Sequence, residues 1–158
     1  MGLRVSSTGV ALVLSFALAG TTQAQTGRLH LGPRLSYQFD LKKLGIGAQL
    51  SVPLVRHLEF YPSFDYFFVS NGSFWNLNAD LKYRIPSESV RWLYLGAGLN
   101  IARSGSSGVH DTRAGVNLFA GAESLKGWVH PFAEFRFTAN HGSTGQLAAG
   151  LNFTLDRR

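Results

Sequence analysis

The sequence predicts an all-β chain: an eight-stranded antiparallel up-and-down (meander) transmembrane β-barrel, preceded by a cleavable signal peptide. Three observations carry that expectation. Apolar and polar residues alternate with a period of two in eight successive stretches, and that period belongs to strands with two unlike faces. Short polar connectors join the stretches, which makes consecutive strands antiparallel neighbours. The apolar face is rich in Leu and Phe and is too bulky for the interior of so narrow a cylinder.

The first residues, MGLRVSSTGVALVLSFALAGTTQAQ, carry Arg4 and then an apolar run from Val10 to Ala19 that ends in small and polar residues. The run is too short to span a bilayer and has the form of an export signal, with cleavage expected after Ala24. Residues 1–24 are therefore assigned to the signal peptide and 25–158 to one barrel domain. The chain has no Cys, which excludes a disulfide scaffold and thiolate chemistry. Its net charge of +6 is spread along the chain, as solvated strand ends and internal pairs would be, and forms no stripe for nucleic acid.

The first strand is expected at about 28–39, with Leu31, Leu35, Tyr37 and Phe39 facing away from His30, Arg34, Ser36 and Gln38. The second, about 44–54, sets Ile46, Leu50 and Val52 against Gly45, Gly47, Gln49 and Ser51. The third, about 57–69, sets Phe60, Phe64, Tyr66 and Phe68 against Glu59, Tyr61, Ser63 and Asp65. The fourth is the clearest: SFWNLNADLKYRI at 73–85 alternates Trp75, Leu77, Leu81 and Tyr83 with Asn76, Asn78, Asp80, Lys82 and Arg84.

The fifth, about 91–102, places Leu93, Leu95, Leu99 and Ile101 opposite Trp92, Tyr94, Gly96, Gly98 and Asn100. The sixth, about 113–123, places Val116 and Leu118 opposite Arg113, Gly115, Asn117, Gly121 and Glu123. The seventh, about 128–139, turns Phe135 and Phe137 away from His130, Glu134 and Arg136. The eighth, about 145–155, turns Leu147, Leu151 and Phe153 away from Gln146, Gly150 and Asn152. Pro33, Pro62 and Pro131 fall inside strands, where each removes a ladder donor and suggests a bulge.

The face rich in Gly, Ser and Asn, with charges of both signs, fits the lumen, so the apolar face points outward. In water such a belt would promote aggregation, whereas a bilayer requires it. The competing soluble reading is a lipocalin-like cup with an apolar cavity. It would put the charges and Gly32, Gly45, Gly47, Gly96 and Gly98 on the exterior, and the chain lacks lipocalin cysteines.

With the signal, the eight alternating strands and the short turns in view, residues 28–155 resemble the small eight-stranded outer-membrane barrels of the OmpA/OmpX type. The last strand, QLAAGLNFTL, is similar to the assembly signal of such barrels, although the chain continues to Asp156-Arg157-Arg158 instead of ending on an aromatic residue. The resemblance implies a monomer in the bacterial outer membrane. Its partners would be outer-membrane lipids, lipopolysaccharide included, and the assembly machinery during insertion. Connectors 40–43, 70–73, 103–112 and 140–144 would face outside, and 55–56, 86–90 and 124–127 the periplasm. Tyr37, Phe39, Tyr66, Phe68 and Trp75 would then form an outer aromatic girdle, with Tyr83 and Phe153 nearer the inner interface.

Lumen parity gathers Arg34, Glu59, Asp65, Asp80, Lys82, Arg84, Arg113, Glu134 and Arg136, with His30, Glu123 and His130. Buried charges in a narrow space must be paired, so they are expected to form a structural network rather than an ion path. Pairing Val69 with Phe74 across the 70–73 turn would set Glu59 opposite Arg84. Trp92, Tyr94 and Trp128 share the lumen parity and are expected to help plug it. In NHGSTG, residues 140–145, His141 and Ser143 resemble the His-x-Ser of outer-membrane lipid A deacylases. Thr144 follows the serine and no carboxylate precedes Asp156 on the last strand, so the orienting acid is missing and a polar hairpin tip is the expected reading. No cofactor or metal is expected, since His110-Asp111 and His141 lack ligand spacing.

Overall fold

The computed structural model describes residues 28–155; the expected signal peptide and its expected cleavage after Ala24, and the final Asp156-Arg157-Arg158, lie outside the described residues. Eight strands follow in order: β1 Leu29–Gln38, β2 Lys43–Val55, β3 Leu58–Phe67, β4 Ser73–Arg84, β5 Leu93–Ser106, β6 Val109–Glu123, β7 Val129–Asn140 and β8 Gly142–Leu155. Each pairs antiparallel with the next, and β1 with β8, so the meander closes into a barrel without a free edge. Hairpins β1–β2, β3–β4, β5–β6 and β7–β8 form the far rim. The near rim carries the other three connections, the start of β1 and the end of β8.

The two faces sort as the alternation requires. Leu35, Leu44, Leu99 and Leu118 point outward, Leu99 being 64 % exposed, whereas Arg34, Asp80, Lys82 and Arg136 are buried inside. A soluble cup would have the reverse polarity. The inward face closes because small residues stand opposite large ones. Gly96 on β5 pairs with Phe119 on β6, Gly121 with Tyr94, Gly45 with Phe67 and Gly150 with Phe132. A Cβ on Gly96 would come within 2.2 Å of the Phe119 ring and one on Gly121 within 2.5 Å of the Tyr94 ring. Those glycines are the room into which the rings pack.

Several boundaries differ from expectation. Pro33, Pro62 and Pro131 do not shift the register. The β1–β8 ladder pauses after Leu31↔Phe153 and resumes in step at Arg34↔Gly150; the β2–β3 ladder does the same between Gln49↔Ser63 and Val52↔Phe60. A proline withholds one donor, and the neighbouring pairs hold the alignment. The irregularity instead falls between Pro53 and Val55, beside the two-residue turn where His57 adopts φ 68°.

The expected connector 103–112 is mostly strand. β5 and β6 stay paired to Ser106↔Val109, and only Ser107 and Gly108 turn, both at positive φ, as a two-residue turn of the primed type needs. The β7–β8 connection likewise shrinks to His141. Trp92 and Trp128 do not enter the lumen. They precede the first paired residues of β5 and β7, where strand parity no longer directs a side chain, and both are exposed. Trp92 Nε1 donates to Ser89 O, and the Trp128 ring lies 5.7 Å from that of Phe153.

Candidate functional site

The charged side chains of the inward face gather into two groups. Nearer the near rim, Lys82 Nζ lies 2.9 Å from Glu59 and 3.3 Å from Glu123, and Arg84 meets Glu59 and, at 2.6 Å, Glu123. Ser51 also donates to Glu59, while Asn152 Nδ2 donates to Glu123 Oε1 at 2.7 Å. Two cations balance two carboxylates there. Farther along the axis, Arg34 bridges Asp65 at 3.1 Å and Glu134 at 3.2 Å, and Arg136 bridges Asp80 at 2.5 Å and Glu134 at 3.0 Å. This group holds two cations and three carboxylates.

Tyr61, Tyr94 and Phe119 form the only buried hydrophobic cluster among the described residues, and they sit between the two groups. Lys82 Nζ lies 4.4 Å from the Tyr61 ring centroid, and the Arg136 guanidinium 4.7 Å from that of Phe119. The phenols link the layers: Tyr61 Oη donates to Gln49 Oε1 at 2.7 Å and Tyr94 Oη to Glu134 Oε2 at 3.1 Å. Polar groups that burial would otherwise leave costly are thus used inside the wall.

Of the charged residues assigned to the lumen from parity, Arg34, Asp65, Asp80, Lys82, Glu134 and Arg136 are buried inside and Glu59 and Arg84 nearly so, whereas Arg113, like Trp92 and Trp128, is not. Arg113 lies on the outer extension of β6, above the packed interior, where its Nε pairs with Asp111 at 2.7 Å with both side chains about half exposed. An exposed pair of this kind contributes little, so Arg113→Ala is expected to change unfolding free energy by less than about 0.5 kcal/mol in urea titration.

The Glu59–Arg84 pair forms, but diagonally. The β3–β4 turn pairs Phe67 with Phe74, two positions from the expected alignment, so Glu59 stands opposite Lys82. His130 is held by Ser124 O at 2.7 Å from Nδ1 and Thr154 Oγ1 at 2.8 Å from Nε2. The carbonyl can only accept, so Nδ1 carries the proton.

The girdle residues Tyr37, Phe39, Tyr66, Phe68 and Trp75 face outward near the far rim, and Tyr83 and Phe153 near the near rim. His141 and Ser143 are both exposed at the β7–β8 tip, the serine opposite Ala139. Among the described residues no group of three His, Asp or Glu side chains is placed to hold a metal.

The sequence reading missed the inward rings Phe67, Phe119 and Phe132 and the amides of Gln49, Asn117 and Asn152 as network members. Phe119 breaks the small-and-polar run of its face, and its signal was the glycine across the ladder. Above the packed interior, the far rim opens into a vestibule of about 300 Å3, lined by Gln38, Asn76, Asn100, Asp111 and Arg113 among others.

No protein family's sequence profile matches the chain, and no curated protein does. Solved structures do. The crystal structure of the N-terminal β-barrel domain of Pseudomonas aeruginosa OprF aligns at 13 % identity over 80 % of this chain and 96 % of that one, with a TM-score of 0.67. Neisserial surface protein A, NspA, aligns at 16 % identity over 80 % and 96 %, with a TM-score of 0.53. The solution structure of the de novo designed TMB2.3 aligns at 15 % identity over 83 % and 96 %, with a TM-score of 0.50. At these identities the likeness is one of architecture: the fold is that of the small eight-stranded outer-membrane barrels.

Proposed function

We propose that the chain is an integral outer-membrane barrel whose lumen its own side chains close, serving envelope structure or surface interaction and not catalysis. The single observation that carries the closed lumen is the chain of contacts from wall to wall. Arg34 on β1, Asp80 on β4 and Glu134 and Arg136 on β7 meet across the axis beside the Tyr61–Tyr94–Phe119 cluster. An ion entering would have to displace pairs whose partners have no water to turn to.

Membrane residence rests on the outward apolar belt, which only lipid can cover, and on closure of every strand ladder. In this reading residues 1–24 direct export, the far rim faces the exterior, and the monomer contacts lipopolysaccharide outside and the assembly machinery on insertion. Fractionation should place it in the outer membrane, with a band that migrates differently before and after boiling. Recovery as a dissolved monomer without detergent would overturn the reading.

In planar bilayers no steady single-channel steps are expected, and such steps would overturn the closed lumen. Catalysis is tested at the hairpin tip. Ser143→Ala should leave the lipid A acyl pattern unchanged, since among the described residues no carboxylate forms an ion pair with His141.

A further inference from the structure

The outward face of the wall carries a single cation. Among the strand positions that turn away from the lumen, Arg103 on β5 is the only Lys or Arg, and no Asp or Glu stands among them. His110 on β6 is the other outward ionisable group, tyrosines aside, and both residues are exposed.

Their height on the wall is equally specific. Leu77, Ile101 and Ala114 form the last aliphatic row across β4, β5 and β6. Trp75, Arg103 and Thr112 make the row above it, and Ser73, Gly105 and His110 the next. Arg103 thus stands opposite a girdle tryptophan, at the level where the hydrocarbon of a bilayer gives way to headgroups.

The upper row is shaped by a missing side chain. A Cβ on Gly105 would lie 2.7 Å from His110 Nδ1 and 3.1 Å from Ser73 Oγ, so the imidazole and the hydroxyl close over that glycine from either side. Charge selects what such a patch can take. Arg103 joins no ion pair among the described residues, while Asp111 turns to the inner side of β6 and is held by Arg113. Lys42 and Lys43 add to the positive balance of the same rim.

We propose that this patch holds the phosphate of an outer-leaflet lipid headgroup. The Arg103 guanidinium carries it, Ser73, Thr112 and His110 supply further donors, and the acyl chains run down over Leu77 and Ile101. The planar fork of an arginine meets two phosphate oxygens at once. This deepens the membrane-residence reading and rests on it for the level of the far rim.

The test is quenching of Trp75 fluorescence by brominated lipids. Trp92→Phe with Trp128→Phe, both at the near rim, leaves Trp75 as the only tryptophan of the full barrel, refolded into phosphatidylcholine vesicles. Brominated phosphatidic acid is expected to quench Trp75 as though enriched about fivefold over brominated phosphatidylcholine. Arg103→Gln should abolish that preference. Arg113→Gln removes the same charge from the inner side of the same hairpin and should leave it unchanged. Added inorganic phosphate at millimolar concentration should leave it unchanged too.

Equal quenching by the two lipids overturns the proposal. So does an equal loss in both arginine variants, which would make the preference one of net charge alone. Abolition by inorganic phosphate also overturns it, since the patch would then take the free ion. A chain that does not insert gives no heat-shifted band and no quenching by either lipid, which overturns the outer-membrane reading and the site with it.

Discussion

Arg136→Met is expected to lower the unfolding free energy by about 3–5 kcal/mol, read by urea titration of the refolded barrel followed on gels without boiling. The guanidinium is almost wholly buried, 2.5 Å from Asp80 and 3.0 Å from Glu134. Its removal leaves Arg34 as the one cation among Asp65, Asp80 and Glu134. Methionine restores much of the packing against Phe119 but none of the charge, so the loss is electrostatic. A second change separates the two terms. Asp80→Asn in the Arg136→Met background removes the stranded carboxylate, and the new amide oxygen still accepts from Asn117 Nδ2. The double variant should recover at least about 1–2 kcal/mol of the single loss. If Arg136→Met unfolds at the wild-type urea concentration, the paired interior contributes nothing to stability.

Gly96→Val carries the second large effect, a loss of about 3 kcal/mol or failure to reach the compact, fast-migrating form. The added Cβ would lie 2.2 Å from Phe119 Cζ and 2.4 Å from the Leu81 carbonyl oxygen. The ring could turn aside, but the carbonyl belongs to the ladder and cannot. Gly142→Ala is the matched control. Its Cβ meets nothing nearer than 3.5 Å, and the change should stay within about 0.5 kcal/mol. Equal behaviour of the two would mean that inward glycines are filler and make no room for rings.

Why the sequence was legible here, and where it stopped, follows from what surrounds each residue. Lipid demands an apolar side chain at every second position, so Trp75 to Tyr83 announce both their strand and its outward face. That demand ends at the rim. From Arg103 to Thr112 nothing covers the hairpin, the alternation fades, and residues that look like a loop remain paired to Ser106↔Val109. The same loss of constraint let Trp92 and Trp128 lie outside the lumen, and let Arg113 keep the inward parity yet stand in solvent.

Register was the harder matter. A hairpin can turn after Phe67 or after Val69 without disturbing which residues face inward, because the two alignments differ by two positions. Periodicity is blind to that choice. The Glu59–Arg84 contact formed in spite of the difference because arginine reaches its diagonal neighbour.

Closure between β1 and β8 sets the order in which this chain can mature. Leu29 has no lasting neighbour on that side until Leu155 arrives, and the ladder pauses at Gly32–Pro33. The earliest residues to emerge must therefore wait, half-satisfied, for the latest. Truncation within the eighth strand would abolish the whole ring and not merely shorten it.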